Sequence, residues 1–338
     1  MEVNSNIFLS DEELKKYTNE EDLATKAGSL LLQQKETWSL PQKGFSDLET
    51  VEVKELEFDG FKVKVQFNPG RITSSAAKVD AKTIKERKCF LCPAHLPKEQ
   101  KALPFGSDYL ILVNPFPIFP EHFTLPKIAH VDQLIKDNFD DMLNFAKALG
   151  KHYVLFYNGP KCGASAPDHM HYQAGSRNFM PIDYEYDSII EKYGKAIHTN
   201  DNVNVYAVDK YLRNFISIES SDKLEILNVF NVFYEAFNKV SNSEIEPMMN
   251  IITSYQDNKW RVIIFPRENH RPTQFFEEGD KRILLSPASV DMGGVCITPL
   301  EEDFKKITKE DIADIFRQIS VSKEKFEYLV KTLTDLFE

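Results

Sequence analysis

The spacing of apolar and polar residues changes period several times along the chain, and each change marks an element. Between residues 51 and 67 the period is two. Phe61, Val63, Val65 and Phe67 fall on one face, and Asp59-Gly60 supplies the turn of a hairpin. Residues 109–113 are a short continuous apolar run, as expected of a strand buried on both faces. From 131 to 149 the spacing turns helical, with Val131, Leu134, Ile135, Met142, Phe145 and Leu149 on one side and Gly150 as the stop. Residues 153–157 return to a strand, and 167–173 read as another. On that last strand His169, His171 and Gln173 share one face, while Met170 and Tyr172 point to a buried back face.

The second half repeats this grammar. Strands are expected at 203–208 and 215–218, and an amphipathic helix at 224–240 through Leu227, Phe230, Phe233 and Phe237. Residues 250–255 and 260–265 pair across Gln256-Asp257-Asn258-Lys259, and a final helix over 323–337 turns Phe326, Leu329, Leu333 and Leu336 inward. Strand pairs followed by a helix, twice over, predict an α+β fold of two related halves, with antiparallel sheets packed against helices. Residues 1–45 are polar, with helical patterns at 11–17 and 20–33 and with Ser10 and Asn19 as N-caps. They form an arm or a lid ahead of a first half at 46–200 and a second at 201–338.

Composition narrows the function classes. At 338 residues the chain can bury a large core, and a net charge of −11 argues against a nucleic-acid partner, which needs a basic surface. No apolar run reaches the roughly 18 residues of a membrane helix, so no membrane partner is expected. The opening Met1-Glu2-Val3-Asn4-Ser5 carries no signal-peptide pattern, which predicts a cytoplasmic protein whose four cysteines are thiols or metal ligands.

Two motifs carry candidate chemistry. Cys89-Phe90-Leu91-Cys92 has the spacing that brings two thiolates to one tetrahedral zinc, and Pro93-Ala94-His95-Leu96-Pro97 is a poor helix opening for a thioredoxin-like redox role. His95, His122, His130 and His169 are all candidates to complete the site, and spacing does not choose between them. The second motif is the His169/His171/Gln173 face, preceded by the small-residue loop from Asn158 through Gly163 and Ser165 to Ala166. Such a loop lets backbone N–H groups approach an anion, and Lys161, Arg177, Arg71 and Lys78 supply nearby positive charge. Arg71, Ser74, Ser75 and Lys78 sit in a further loop that can hold phosphate, although an ordinary solvated turn is the favoured reading. The charged run from Pro266 to Pro272 reads as a surface loop, and Trp260 and Phe275-Phe276 read as core.

Together, Cys89-x-x-Cys92, Asn114-Pro115-Phe116-Pro117, Pro120-Glu121-His122, Leu125-Pro126-Lys127, His130 and His169-x-His171-x-Gln173 resemble the histidine triad superfamily. The His-x-His-x-Gln ending is similar to its transferase branch: galactose-1-phosphate uridylyltransferases, dinucleoside polyphosphate phosphorylases and GDP-hexose phosphorylases. The resemblance is clear over about residues 60–180 and weaker over 260–265 and 293–326, where it tilts to the GDP-hexose phosphorylases. It implies two histidine-triad-like halves, with His171 as a nucleophile that carries a nucleotidyl group. It also implies Gln173 as a donor to a non-bridging phosphate oxygen, and Asn158 and Ser165 as phosphate contacts. Cys89, Cys92, His130 and His169 would hold a structural zinc. The second half contains His270 as its only histidine, so no second active site is expected there.

The expected activity is therefore nucleotidyl transfer from a nucleoside diphosphate hexose, GDP-linked in preference, to phosphate or a sugar phosphate. A dinucleoside polyphosphate phosphorylase is the alternative. Relatives that hydrolyse carry His in place of Gln173. A reading of another class is a nucleotide-binding sensor without turnover, against which an intact His171 and Gln173 argue. An exposed sheet edge in such folds also allows a homodimer.

Overall fold

The computed structural model describes residues 5–72, 81–241, 243 and 245–338; Ser74, Ser75 and Lys78 lie outside the described residues. Thirteen strands occur among the described residues: β1 Glu52–Glu57, β2 Lys62–Phe67, β3 Ala102–Phe105, β4 Tyr109–Val113, β5 His122–Pro126, β6 Tyr153–Asn158, β7 His171–Ser176, β8 Gly194–Thr199, β9 Val203–Val208, β10 Phe215–Ser220, β11 Met249–Gln256, β12 Lys259–Pro266 and β13 Val295–Thr298. Ten of them form one sheet in the order β3-β4-β5-β7-β6-β11-β12-β10-β9-β8, antiparallel throughout. The halves meet where β6 pairs with β11, Asn158 opposite Asn250 and Phe156 opposite Ile252. Strand β8 lies beside β9 at the far edge, so residues 194–199 build the second half of the sheet. The smaller sheet, β1-β2-β13, is mixed, because β13 runs parallel to β2.

The period-two pattern sorts side chains between two cores. On β6, Tyr153, Leu155 and Tyr157 enter one core while Val154 and Phe156 enter the other. The first core lies under helices Leu23–Thr37, Phe139–Leu149, Lys223–Ser241 and Lys323–Phe337. The second lies between the large sheet, the small sheet and helices Pro181–Tyr193 and Lys309–Ile319. The N-terminal segment packs on the first core, with Leu9, Leu14, Ala24, Ala27, Leu30 and Phe45 buried there.

Several elements depart from the sequence pattern. The helix expected from 131 begins at Phe139, because residues 127–133 pair with the chain before β7: Met170 N–H donates to Val131 O at 2.7 Å and Gln133 N–H to Pro167 O at 3.1 Å. That backbone pairing replaces helical bonds. Ser10 does cap the first helix, in a capping box with Glu13, but the second helix starts later and is capped by Asp22 rather than Asn19. A further helix, Ser39–Leu48, follows it. Leu336 is exposed in the last turn of its helix, whereas Phe326, Leu329 and Leu333 are buried. Phe276 is exposed too, whereas Trp260 is core, its indole N–H on Leu143 O at 2.9 Å. The β11–β12 turn narrows to Asp257 and Asn258, both with positive φ as a two-residue hairpin requires. Arg267, read as surface, is 2 % exposed. It donates to Asn250 Oδ1 and to the carbonyls of Pro287, Ile319, Asn269 and His270, tying three separated segments together.

Glu246 braces the joint between the halves. Its Oε2 accepts from Ile135 N–H at 2.6 Å and its Oε1 from Tyr157 OH at 2.7 Å. Burial pushes its carboxyl from 4.5 up to about 7, against the pull of those two donors. Between those values the native chain holds a proton that the unfolded chain has released. This contribution to stability is complete below about pH 4.5 and is lost as pH rises through 7, at about 1.4 kcal/mol per pH unit within the window. Glu246→Gln mimics the protonated form and is expected to flatten the fall in melting temperature between pH 5 and 8. A Glu246→Gln protein whose melting temperature follows the same pH dependence as the wild type would contradict the assignment.

Candidate active site and metal centre

A cavity of about 830 Å³ opens between the first half and residues 286–291 of the second. Phe156, Asn158, His171 and Gln173 line it from β6 and β7, and Arg71, Gly163 and Ser165 line it from loops. His171 and Gln173 face the same way because they lie two apart on a strand, and Met170 and Tyr172 are fully buried in the first core. His169 leaves this face. Strand β7 begins only at His171, and the turn before it carries the His169 ring to a separate cluster.

The state of His171 follows from its contacts. Its Nδ1–H donates to His169 O at 2.7 Å, which leaves the lone pair on Nε2. Burial pulls the ring down to about 4, so it is neutral and nucleophilic at pH 7. Gln133 clamps the backbone: its Oε1 accepts His171 N–H at 2.7 Å, and its Nε2 donates to His171 O at 2.9 Å and Asn158 O at 3.1 Å. The clamp sits in the segment whose apolar spacing suggests helix, and no local pattern signals it.

Asn158 is oriented by the second half. Its Oδ1 accepts from Asn250 Nδ2 at 2.9 Å and from Ser289 N–H at 2.8 Å, leaving its own N–H₂ for the cavity. Gly163 has φ +98°, and a Cβ there would meet Ala288 Cβ at 2.6 Å. Gly163→Ala is therefore expected to destabilise by about 2–4 kcal/mol, read as a lower melting temperature. An unchanged melting temperature would mean that the loop yields freely.

Lys161 is exposed and is not among the cavity-lining residues, and Arg177 instead binds Gly150 O and Gln256 at the far end of β7. The sequence reading also missed walls that arrive from distant segments: Trp38, Arg87, Phe90, Phe116, Val290 and Asp291. Asp291 is held by the N–H groups of Ala288 and Ile297, and its carboxyl is raised to about 6 by burial. Arg87 pairs with Asp168 and stacks 5.1 Å over Phe90, so the residues around Cys89 form part of the cavity mouth.

Cys89, Cys92, His130 and His169 place their ligand atoms within 4.8 Å of one another. Cys89 Sγ and Cys92 Sγ lie 3.2 and 3.6 Å from His169 Nδ1, and Cys92 Sγ and His169 Nδ1 each lie 3.2 Å from His130 Nδ1. Such separations suit the edges of a tetrahedron with metal bonds of about 2.0–2.3 Å. His169 Nε2–H donates to Lys127 O at 2.6 Å, turning the Nδ1 lone pair inward. Left to themselves the sulfurs oppose each other's ionisation: Cys92 is pushed up to about 11 by burial and by Cys89. A divalent cation resolves that conflict, so the cluster fits a metal. His95 stays outside it, its Nδ1 on Cys89 O at 2.9 Å, and His122 lies behind Gln173. Cys162 and Cys296 are buried elsewhere.

Residues 30–176 match the family model described as Domain of unknown function (DUF4922), and residues 190–338 match the one described as GDPGP1-like, C-terminal domain. No curated protein sequence matches the chain. Among solved structures, the yeast Ap4A phosphorylase Apa2 in complex with Ap4A is 20% identical, with a TM-score of 0.57 over 87% of this chain and 97% of that one. A uridylyltransferase mutant is 12% identical, with a TM-score of 0.43 over 85% and 99%. A DUF4931 family protein from Bacillus cereus is 16% identical, with a TM-score of 0.37 over 49% and 85%. The chain thus shares its fold over most of its length with the yeast Ap4A phosphorylase Apa2, and its residues 190–338 match the GDPGP1-like, C-terminal domain model.

Proposed function

We propose that the chain is a nucleotidyltransferase of the phosphorolytic kind, acting on a nucleoside diphosphate hexose, GDP-linked in preference, through His171. The observation that carries this reading is a neutral, buried imidazole with its Nδ1 tied to a carbonyl, in a cavity that also holds the amides of Asn158 and Gln173. In the first step the His171 Nε2 lone pair attacks the α-phosphorus. The bond from that phosphorus to the bridging oxygen breaks, and hexose 1-phosphate leaves with the electron pair. In the second step an oxygen of inorganic phosphate attacks the same phosphorus. The N–P bond breaks, His171 is regenerated and the nucleoside diphosphate departs. Gln173 and Asn158 donate N–H groups to the non-bridging oxygens, where charge shifts during in-line displacement. Arg71, Gly163 and Ser165 line the same cavity, which supports them as further contacts to these phosphates. Cys89, Cys92, His130 and His169 would hold a zinc ion, which would supply a structural cross-link. The residues' own part is that His169, fixed there, presents the carbonyl that sets the His171 tautomer.

The GDPGP1-like match over the second half supports the GDP-hexose reading, and the fold likeness to an Ap4A phosphorylase supports dinucleoside polyphosphates as the second. Intact-protein mass spectrometry separates them. The protein is incubated without phosphate with GDP-, ADP- and UDP-hexoses and with a dinucleoside tetraphosphate. A guanylyl increment from GDP-hexose is expected. An adenylyl increment from the tetraphosphate alone would favour the second reading, and no increment from any donor would sink both.

A further inference from the structure

Of the two amides facing the cavity, Asn158 has an evident restraint on its polarity and Gln173 a hidden one. Asn158 Oδ1 is held by Asn250 Nδ2, and Asn250 Oδ1 in turn accepts from buried Arg267, so a permanent cation fixes which end of each amide points where. Behind Gln173 stands His122, on β5, its ring fully buried between Phe119 and Phe156. The backbone N–H of Ile118 reaches His122 Nδ1 at 3.1 Å, and His122 Nε2 reaches Gln173 Oε1 at 2.9 Å.

We propose that His122 is a positioning residue that sets the polarity of the Gln173 amide, so that its N–H₂ rather than its carbonyl faces the reacting phosphate. A backbone N–H can only donate, so His122 Nδ1 must carry the lone pair. Burial, with the Arg71 charge nearby, pulls the ring down to about 3, so it is neutral and its single proton sits on Nε2. That proton is donated to Gln173 Oε1, and the amide is left with its two N–H donors toward the cavity. Without the His122 donor the amide can turn over. A carbonyl oxygen would then face a phosphate oxygen, replacing attraction with repulsion where charge changes most. Both cavity amides are thus turned the same way by relays that begin at fixed donors, Ile118 N–H for one and Arg267 for the other. The catalytic consequence, though not the relay itself, rests on the proposed transfer through His171.

The test has two arms. In ¹⁵N-histidine-labelled protein, the His122 ring, assigned by its loss in His122→Gln, is expected to be the Nε2–H tautomer without change from pH 5.5 to 8.5. An Nδ1–H tautomer, or a ring that titrates near the ordinary histidine value, overturns the proposal whatever the substrate proves to be. In the kinetic arm, nucleotidylation of His171 is followed with the two α-phosphorothioate diastereomers of a GDP-hexose. His122→Leu removes the donor, and His122→Gln restores one at the same place; near-ultraviolet circular dichroism and melting establish that each is folded. His122→Leu is expected to slow adduct formation about 100-fold with KM little changed, and to erase the rate difference between diastereomers. His122→Gln should stay within about tenfold of wild type. A folded His122→Leu with wild-type rate and diastereomer preference overturns the proposal. If the wild type forms no adduct, the transfer reading falls while the tautomer measurement still decides the relay.

Discussion

His171→Asn is expected to abolish nucleotidyl transfer while leaving the fold intact. Asn can keep a donor near His169 O, which now receives the imidazole Nδ1–H, so the start of β7 should hold its place. What disappears is the nucleophilic nitrogen. Covalent catalysis divides one hard displacement into two easier ones, and without the nucleophile only positioning and N–H donors remain. Turnover should fall by about 10⁴-fold or more, and the nucleotidyl mass increment should vanish altogether. Substrate binding is expected to survive, because Asn158, Gln173, Arg71 and Ser165 are untouched. A His171→Asn protein that still accumulates an adduct would place the nucleophile elsewhere. One that binds and turns over like wild type would end the covalent mechanism.

Removing the metal should have the second large effect. A strong chelator, or Cys92→Ser, is expected to release one zinc per chain and to lower stability by on the order of 5–10 kcal/mol, since the binding free energy of a structural zinc is folding free energy. Activity should fall with it, because the cluster joins the Cys89 turn, the chain at His130 and the turn before β7. That last turn supplies the carbonyl that fixes His171. The pH sign follows from the ligands. Thiolates and neutral imidazoles bind metal, so acid competes, and zinc retention should weaken as pH falls rather than as it rises. Metal analysis beside melting curves checks this. A chain stripped of metal with an unchanged melting temperature would reduce the cluster to four neighbouring side chains.

Where local pattern and local contact coincide, the chain was readable. The β1–β2 hairpin, the β11–β12 hairpin and the helix at Lys323–Phe337 are set by residues a few positions apart, and the structure has them at or near the expected places. The period-two face that pairs His171 with Gln173 is of the same kind. Residues 131–138 were misread for a definite reason. Their apolar spacing is helical, but the backbones of Val131 and Gln133 bond to Met170 and Pro167, distant partners that periodicity cannot register. Arg267 was misread likewise. An arginine in a charged run is usually solvated, and here it is buried because acceptors from three remote segments converge on it.

The sequence by itself determined the chemistry on offer: a CxxC, a strand face bearing His171 and Gln173, and a small-residue loop ahead of it. Each is a matter of spacing along a few residues, and spacing is local. Only the tertiary structure decided how they are used. It separated His169 from His171 into two clusters and gathered His130 with Cys89, Cys92 and His169. It also closed the cavity with residues 286–291, and it placed Gln133, Asn250 and His122 behind the groups they orient. Those decisions depend on which strands neighbour one another in the sheet. Strand order is set by burial and backbone pairing over more than a hundred residues, and no window along the chain contains that information.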